Sequence, residues 1–263
     1  MGALIQTVLQ ERAGGRVALL VIANPAKLNA LSARAMLELT EAMRGLNADP
    51  LLRAVVLTGS GSKAFSGGVD VEDLGATTPA TAREGITRLH RCIGALRECP
   101  VPVIARVNGY CIGGALELAA ACDLRIAADH ARFGMPEVRL GIPSVIEAAL
   151  LPRLMGAGRA RWLLLTGELI DAAEALRWGL VERVVAQEGL DAEVDQALDA
   201  ILAGGAFAIQ AQKRLNKDYE ELPLAQSIAA SIDEFEAAYA TGEPARLIGD
   251  YLRRRRKVPH NMK

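Results

Sequence analysis

The chain has 263 residues, 51% of them hydrophobic, enough to bury a sizeable core as one large domain or two small ones. Its net charge of −1 supplies no bulk attraction for nucleic acid or a membrane surface. Cys92, Cys99, Cys111 and Cys122 lack C-x-x-C spacing, and His90, His130 and His260 stand far apart. Reduced core cysteines are therefore expected, and no metal site. No basic-then-apolar leader opens the chain, and no run reaches about 18 uninterrupted apolar residues. A soluble, cytoplasmic protein is the expectation.

In chain order, Arg16 to Ala23 reads as a buried strand, ended by Asn24-Pro25. Ser32 suits the N-cap of an amphipathic helix running to about Asn47. Arg53 to Thr58 is the next strand, and Gly59 to Asp70 is a glycine-rich loop. Gly59, Gly61 and Ala64 match the loose dinucleotide pattern G-x-G-x-x-A, but Phe65-Ser-Gly-Gly68 is a poor helix start where that pattern demands a helix. Residues 80–98 read as a helix with Ile86, Leu89, Ile93 and Leu96 on one face. Val101 to Val107 reads as a strand, and Asp123 to Phe133 as a strand-like run. Ser144 and Glu147 have capping-box spacing at the start of a helix to about Met155. Asp171 and Glu174 repeat that spacing before a short helix ending at Gly179. Val181 to Val185 is a brief strand. Residues 190–203, 206–219, 223–240 and 243–257 then read as helices, and Arg253 to Lys257 as a solvated helix end. Strands alternating with helices to about residue 188 predict a parallel sheet, an open doubly wound one by default.

Two features between residues 108 and 144 point to chemistry. Gly113-Gly114 opens an apolar helical run, leaving unpaired N–H groups that no side chain shields, and a helix start favours negative charge. Glu117 lies in that apolar run, where a charge is rarely idle. Glu137 follows in a Gly/Pro loop. Backbone donors suit a developing oxyanion, and a carboxyl pair suits general acid and base work. Carbonyl chemistry with proton transfer is the reading. Tyr110 and Trp162 are expected to serve packing rather than to stack on substrate.

The motifs Asn24-Pro-x-x-x-Asn29-Ala-Leu, Ala64-Phe-Ser-Gly-Gly68-Val69-Asp70, Asn108-Gly-Tyr-x-x-Gly-Gly114-x-x-Glu117-Leu, Cys122-Asp123-x-x-x-Ala and Phe133-Gly-x-Pro-Glu137-x-x-Leu-Gly occur in this order. Together they make the chain resemble the crotonase (enoyl-CoA hydratase/isomerase) superfamily over nearly its whole length, with the hydratases as the nearest group. The resemblance implies an α/β fold, a spiral of β-β-α turns over residues 1–188, followed by an all-helical oligomerisation region over 189–263. It implies homotrimers, often paired into hexamers, an acyl-coenzyme A thioester as substrate, and no metal or redox cofactor. By position it implies an oxyanion hole from the N–H groups of Val69 and Gly114. Lys27, Leu28 and Ala30 fall at the nucleotide end, Gly67 beside the adenine, and Asp70 next to the first donor. Glu117 would act as base on a held water, and Glu137 would deliver a proton to the alpha carbon. The chain departs from the family after Glu137. It has one residue fewer before Pro143, Ser144 replaces a glycine whose N–H helps to hold the water, and bulkier residues follow. A reshaped acyl pocket is expected.

The implied reaction is hydration of a trans-2-enoyl-CoA. A double-bond isomerase, a non-catalytic or RNA-binding member of the superfamily, and a dinucleotide oxidoreductase are the alternatives; the charge and the retained acid pair argue against nucleic acid. For Glu147 the favoured reading is the far half of a capping box, bonded back to the Ser144 N–H. The competing reading places it in the acyl pocket.

Overall fold

A computed structural model describes residues 2–257; His260 lies outside the described residues. Strand β1 (Ile5–Arg12) turns back into β2 (Gly15–Ile22), its antiparallel partner. Helix α1 (Ala33–Asn47) starts at Ser32, whose Oγ accepts from the Ala35 N–H at 3.2 Å. Its inner face buries Leu39, Met43 and Leu46.

A repeating path follows. β3 (Leu52–Gly59) leads into the short β4 (Ala64–Ser66), then α2 (Val71–Gly75) and α3 (Ala82–Arg97). β5 (Val103–Val107) leads into β6 (Tyr110–Ile112) and α4 (Gly114–Ala120). β7 (Leu124–Ala128) leads into β8 (Arg132–Gly134), the 3-10 turns Pro136–Leu140 and Ile146–Leu150, then α5 (Leu151–Met155) and α6 (Ala157–Thr166). β9 (Leu169–Asp171), α7 (Ala172–Trp178) and β10 (Arg183–Val185) bring the chain back. Each of the first three turns, begun by β3, β5 and β7, thus gives a longer strand to one sheet and a three-residue strand to another. The orders are β1-β2-β3-β5-β7-β10 and β4-β6-β8-β9. β2, β3, β5, β7 and β10 run parallel, as do β4, β6 and β8.

This corrects the doubly wound expectation, because long strands run into a corner and a second strand before any helix. Gly109 shows how a corner is made. It sits at φ +159°, and a Cβ there would lie 2.2 Å from the Lys63 carbonyl oxygen. The buried Asn108 amide ties the same corner together, donating to the carbonyls of Gly59 and Gly61 at 2.9 and 2.5 Å. Asn29 does the same from the other side, donating to Ala64 O at 2.8 Å and Ser60 O at 3.0 Å. Gly59 to Ala64 therefore leads into strand β4, not a helix, which removes the dinucleotide reading. The run from Asp123 to Phe133 divides into two strands in different sheets. Phe65 and Phe133, from the small sheet, are fully buried beside Leu20, Leu57 and Val103 from the large one.

Helices α8 (Leu190–Ala203), α9 (Ala206–Glu221), α10 (Leu224–Ala240) and α11 (Glu243–Lys257) complete the described chain. The chain divides into two compact units, Met1–Asp199 and Ala200–Lys263, so the division falls inside α8. The first half of α8 buries Leu190, Val194 and Leu198. In the second unit Arg214 on α9 forks onto Glu234 of α10, at 2.7 and 2.8 Å. Among the described residues, no helix is long and apolar enough to cross a membrane. All four cysteines are free and buried.

Candidate active site

Helix α4 is short, and all seven of its residues are buried. Glu117 is 3% exposed. One carboxylate oxygen, Oε1, accepts from the Ala148 N–H at 3.0 Å. Burial pushes the Glu117 carboxyl up to about 8; the Ala148 N–H opposes this, and the negative charges of Glu137 and Glu147 add to it. Burial thus favours the protonated form of Glu117.

Glu137 reaches the same place from the turn Pro136–Leu140. Its carboxylate lies over Gly113, where an added Cβ would be 2.4 Å from Oε1. Gly113 also holds φ +58°, so glycine is required there for both space and conformation. Burial raises the Glu137 carboxyl too, and a hydrogen bond from Ser144 Oγ, at 3.0 Å to Oε2, opposes it.

Glu117, Glu137, Ser144, Val69 and Gly114 line one cavity of about 290 Å³. Val69 and Gly114 are close: a Cβ on Gly114 would stand 3.3 Å from Val69 Cγ2. The segment around Val69 is held by Leu31, whose N–H donates to Gly68 O at 2.8 Å and whose carbonyl accepts from the Asp70 N–H at 3.2 Å. These bonds leave the intervening Val69 N–H on the opposite side of the strand-like segment. Among the described residues neither the Val69 nor the Gly114 N–H finds an acceptor. A second cavity of about 700 Å³ shares Val69, Leu89 and Val145 with the first and is mainly apolar.

Of the remaining expected residues, Gly67 lines the same cavity, and Lys27, Leu28 and Asp70 are tied to Gly67 or to one another by hydrogen bonds. Leu28, at φ 53°, accepts from the Gly67 N–H at 2.8 Å through its carbonyl. Ala30 is buried at 9% exposure. Lys27 Nζ reaches Asp70 at 3.1 Å and Glu72 at 2.7 Å. Asp70 also caps α2, accepting from the Glu72 N–H at 2.9 Å, which with Lys27 holds its carboxyl below the usual range. Lys27 thus already has two carboxylate partners.

Three expectations are corrected. The capping box is not formed: Ser144 turns to Glu137, Glu147 Oε1 lies 2.7 Å from His90 Nδ1, and the next turn begins at Val145 without a side-chain cap. Ile146, just before Glu147, takes the left-handed φ of 45°, and Glu147 is buried at 7% exposure. The helix expected from residue 144 is instead a 3-10 turn followed by α5. Tyr110 and Trp162, expected to serve packing, are 38% and 55% exposed. His90 and the Ala148 N–H escaped sequence reasoning. The first had only a polar position beside an apolar helix face as its signal, and a backbone donor has none.

A family model described as Enoyl-CoA hydratase/isomerase matches residues 12–258. Crotonyl-CoA hydratase of Syntrophomonas wolfei is 36% identical over 242 residues, 92% of this chain and 93% of that protein. The crystal structure of enoyl-CoA hydratase from Mycobacterium smegmatis superposes with a TM-score of 0.89 at 30% identity, covering 94% of this chain and 96% of the other. That of Bacillus anthracis enoyl-CoA hydratase gives 0.88 at 30% identity, with 97% and 98% covered. Two sheets wound by one spiral, the ordered motifs and these likenesses agree: the chain belongs to the enoyl-CoA hydratase/isomerase family of the crotonase superfamily.

Proposed function

We propose that this protein adds water to a trans-2-enoyl-CoA thioester, giving a 3-hydroxyacyl-CoA. The observation that carries the proposal is one cavity lined by Glu117, Glu137, Val69 and Gly114, the last two with N–H groups that find no acceptor among the described residues. The thioester oxygen would accept from Val69 and Gly114, which stabilise the enolate charge that develops there. One such donor is worth about 10²–10³ in rate. Glu117 and Glu137 would hold a water between them. Its oxygen adds to the beta carbon, and a proton is delivered to the alpha carbon.

Hydration needs one base and one acid, so the pair must carry one proton in total. The reacting form has Glu117 ionised and Glu137 protonated. Burial favours the protonated form of both carboxyls, and the held water can pass the shared proton between them. Two carboxyls so linked titrate as a unit. With both protonated, or both ionised, the reaction stops, which gives a bell-shaped pH profile. Ser144 steadies Glu137 through its hydroxyl.

The acyl tail would enter the adjoining apolar cavity. The nucleotide end would lie along Lys27, Leu28, Ala30, Gly67 and Asp70, where a phosphate must compete with Asp70 and Glu72 for the lysine. Coenzyme A is part of the substrate, and the reaction as written uses no further cofactor. The buried thiols fit a reducing, cytoplasmic setting. Trimers or hexamers are proposed on the apolar stripe of α10, with a second copy of this chain as its cover. Following loss of the conjugated thioester absorbance of crotonyl-CoA, with product identified as the 3-hydroxy ester, tests the reaction. A rearranged double bond without water uptake would refute it in favour of isomerisation.

A further inference from the structure

The turn that carries the Ala148 N–H to Glu117 is a poor candidate to hold itself. Ile146, a β-branched residue, is in the left-handed region. Ser144 Oγ is committed to Glu137. The Ala148 N–H is shared between Val145 O, at 3.0 Å, and Glu117 Oε1, also at 3.0 Å. Glu147, directly before Ala148 in the chain, is 7% exposed, with Oε1 held by His90 at 2.7 Å and Oε2 buried without a hydrogen-bond partner among the described residues. His90 comes from α3, and its side chain is 58% exposed. Ser144 and Val145 from this turn line the site cavity, whereas Glu147 is not among its lining residues. A contact with the acyl group therefore has no support.

We propose that His90 and Glu147 form a positioning pair for Glu117, holding the Ala148 N–H against its carboxyl and standing a second negative charge behind it. The inference rests on the reading of Glu117 as a member of the reacting pair. The charged groups facing Glu117 are few. Its own helix brings no other. The turn Pro136–Leu140 brings Glu137, the turn Ile146–Leu150 brings Glu147, and α3 brings His90 through Glu147. Arg125 of β7 is at the far end of α4, bonded to the carbonyls of Ala119 and Cys122 and paired with Glu182. Glu147 is thus a buried carboxylate whose charge opposes ionisation of Glu117, and His90 is the partner that holds its side chain in place.

Two pairs of variants in the full chain test this. Glu147→Gln keeps the shape and removes the charge, so the alkaline limb of kcat/KM, where Glu117 loses its proton, should move to lower pH by about one unit. His90→Ala loses the clamp and should lower kcat by about tenfold to a hundredfold with KM little changed. His90→Gln, which retains a donor, should recover most of that rate. His90 is exposed, so its variants remain informative if Glu147→Gln does not fold. An unmoved alkaline limb in folded Glu147→Gln overturns the proposal, as do His90→Ala and His90→Gln behaving alike. If Glu117→Gln is inactive while Glu147→Gln leaves the limb in place, only this inference fails. If Glu117→Gln keeps the wild-type rate, the proposed function fails instead.

Discussion

Two apolar helices of this chain meet opposite fates. α4 has every residue buried, including a glutamate. α10 has one buried residue, Ser227, and leaves Leu224, Phe235 and Ile232 at 78%, 67% and 64% exposure. α4 lies between successive turns of the spiral, so the first unit itself removes it from water. α10 meets α9 and α11, and its stripe of Leu224, Ile228, Ile232, Phe235 and Tyr239 remains uncovered within the second unit. Burial in the first case is used to perturb a carboxyl. Exposure in the second leaves apolar area of the kind that marks a protein contact.

The largest effect expected is on the buried side. Glu117→Gln and Glu137→Gln should each lower the hydration rate by about 10²–10⁴, with the fold kept by circular dichroism. The double variant should be little worse than the poorer single one, since the pair acts as a unit. Rates within a few-fold of wild type in either single variant would break the assignment.

Next comes the cost of burying Glu117. Its folded value of about 8 lies above its ordinary 4.5. Above pH 4.5 the unfolded chain releases a proton that the folded chain keeps, so the carboxyl's contribution to stability declines as pH rises and levels off above about 8. Each unit of displacement is about 1.4 kcal/mol, an upper bound once the structure relaxes. Relative to wild type, Glu117→Gln should gain stability by a few kcal/mol across that window. Equal pH dependence of the two melting curves would show that Glu117 titrates normally.

A smaller loss is expected from Gly113→Ala. A side chain at φ +58° is strained, and its Cβ would displace the Glu137 carboxylate. Backbone strain of this kind costs about 1–3 kcal/mol, readable as a lower melting temperature, and kcat should fall with it. Unchanged kcat would show that the position of Glu137 over Gly113 does not matter to the reaction.

The smallest effect on folding is expected at α10. Ile232→Asp with Phe235→Asp changes exposed positions, so the stability of the isolated unit should shift by about 0.5 kcal/mol or less per site. Sedimentation should nevertheless show assemblies in wild type and smaller species in the variant. A wild-type chain that sediments as a monomer at micromolar concentration would remove the contrast between the two helices.

Much of this was legible because the signals are local. The Ser32 and Asp171 caps form as their spacing predicts, Asp171 accepting from the Glu174 N–H at 2.8 Å. The same spacing at Ser144 and Glu147 fails, because Ser144 bonds Glu137 on the preceding turn and Glu147 bonds His90 on α3. The strands of the second sheet have three residues each, too short for a periodic pattern to emerge from the loops around them. β1 was missed for a related reason. Its alternation is weak, with most of its side chains at least partly exposed.

By itself the amino-acid sequence determined most of the helices, the Ser32 and Asp171 caps, the glycines that admit close backbone approach, and the identity of the two glutamates. These depend on neighbours within about a turn or on the absence of a side chain. Ordered together, its motifs also carried the resemblance to the family. Only the tertiary structure decided that the spiral forms two sheets, that Glu117 and Glu137 line one cavity, and that Lys27 is held by Asp70 and Glu72. It alone brought His90 to Glu147, 57 residues away. Such pairings depend on which surfaces the packed core leaves facing one another, and side-chain order along the chain does not encode that distance.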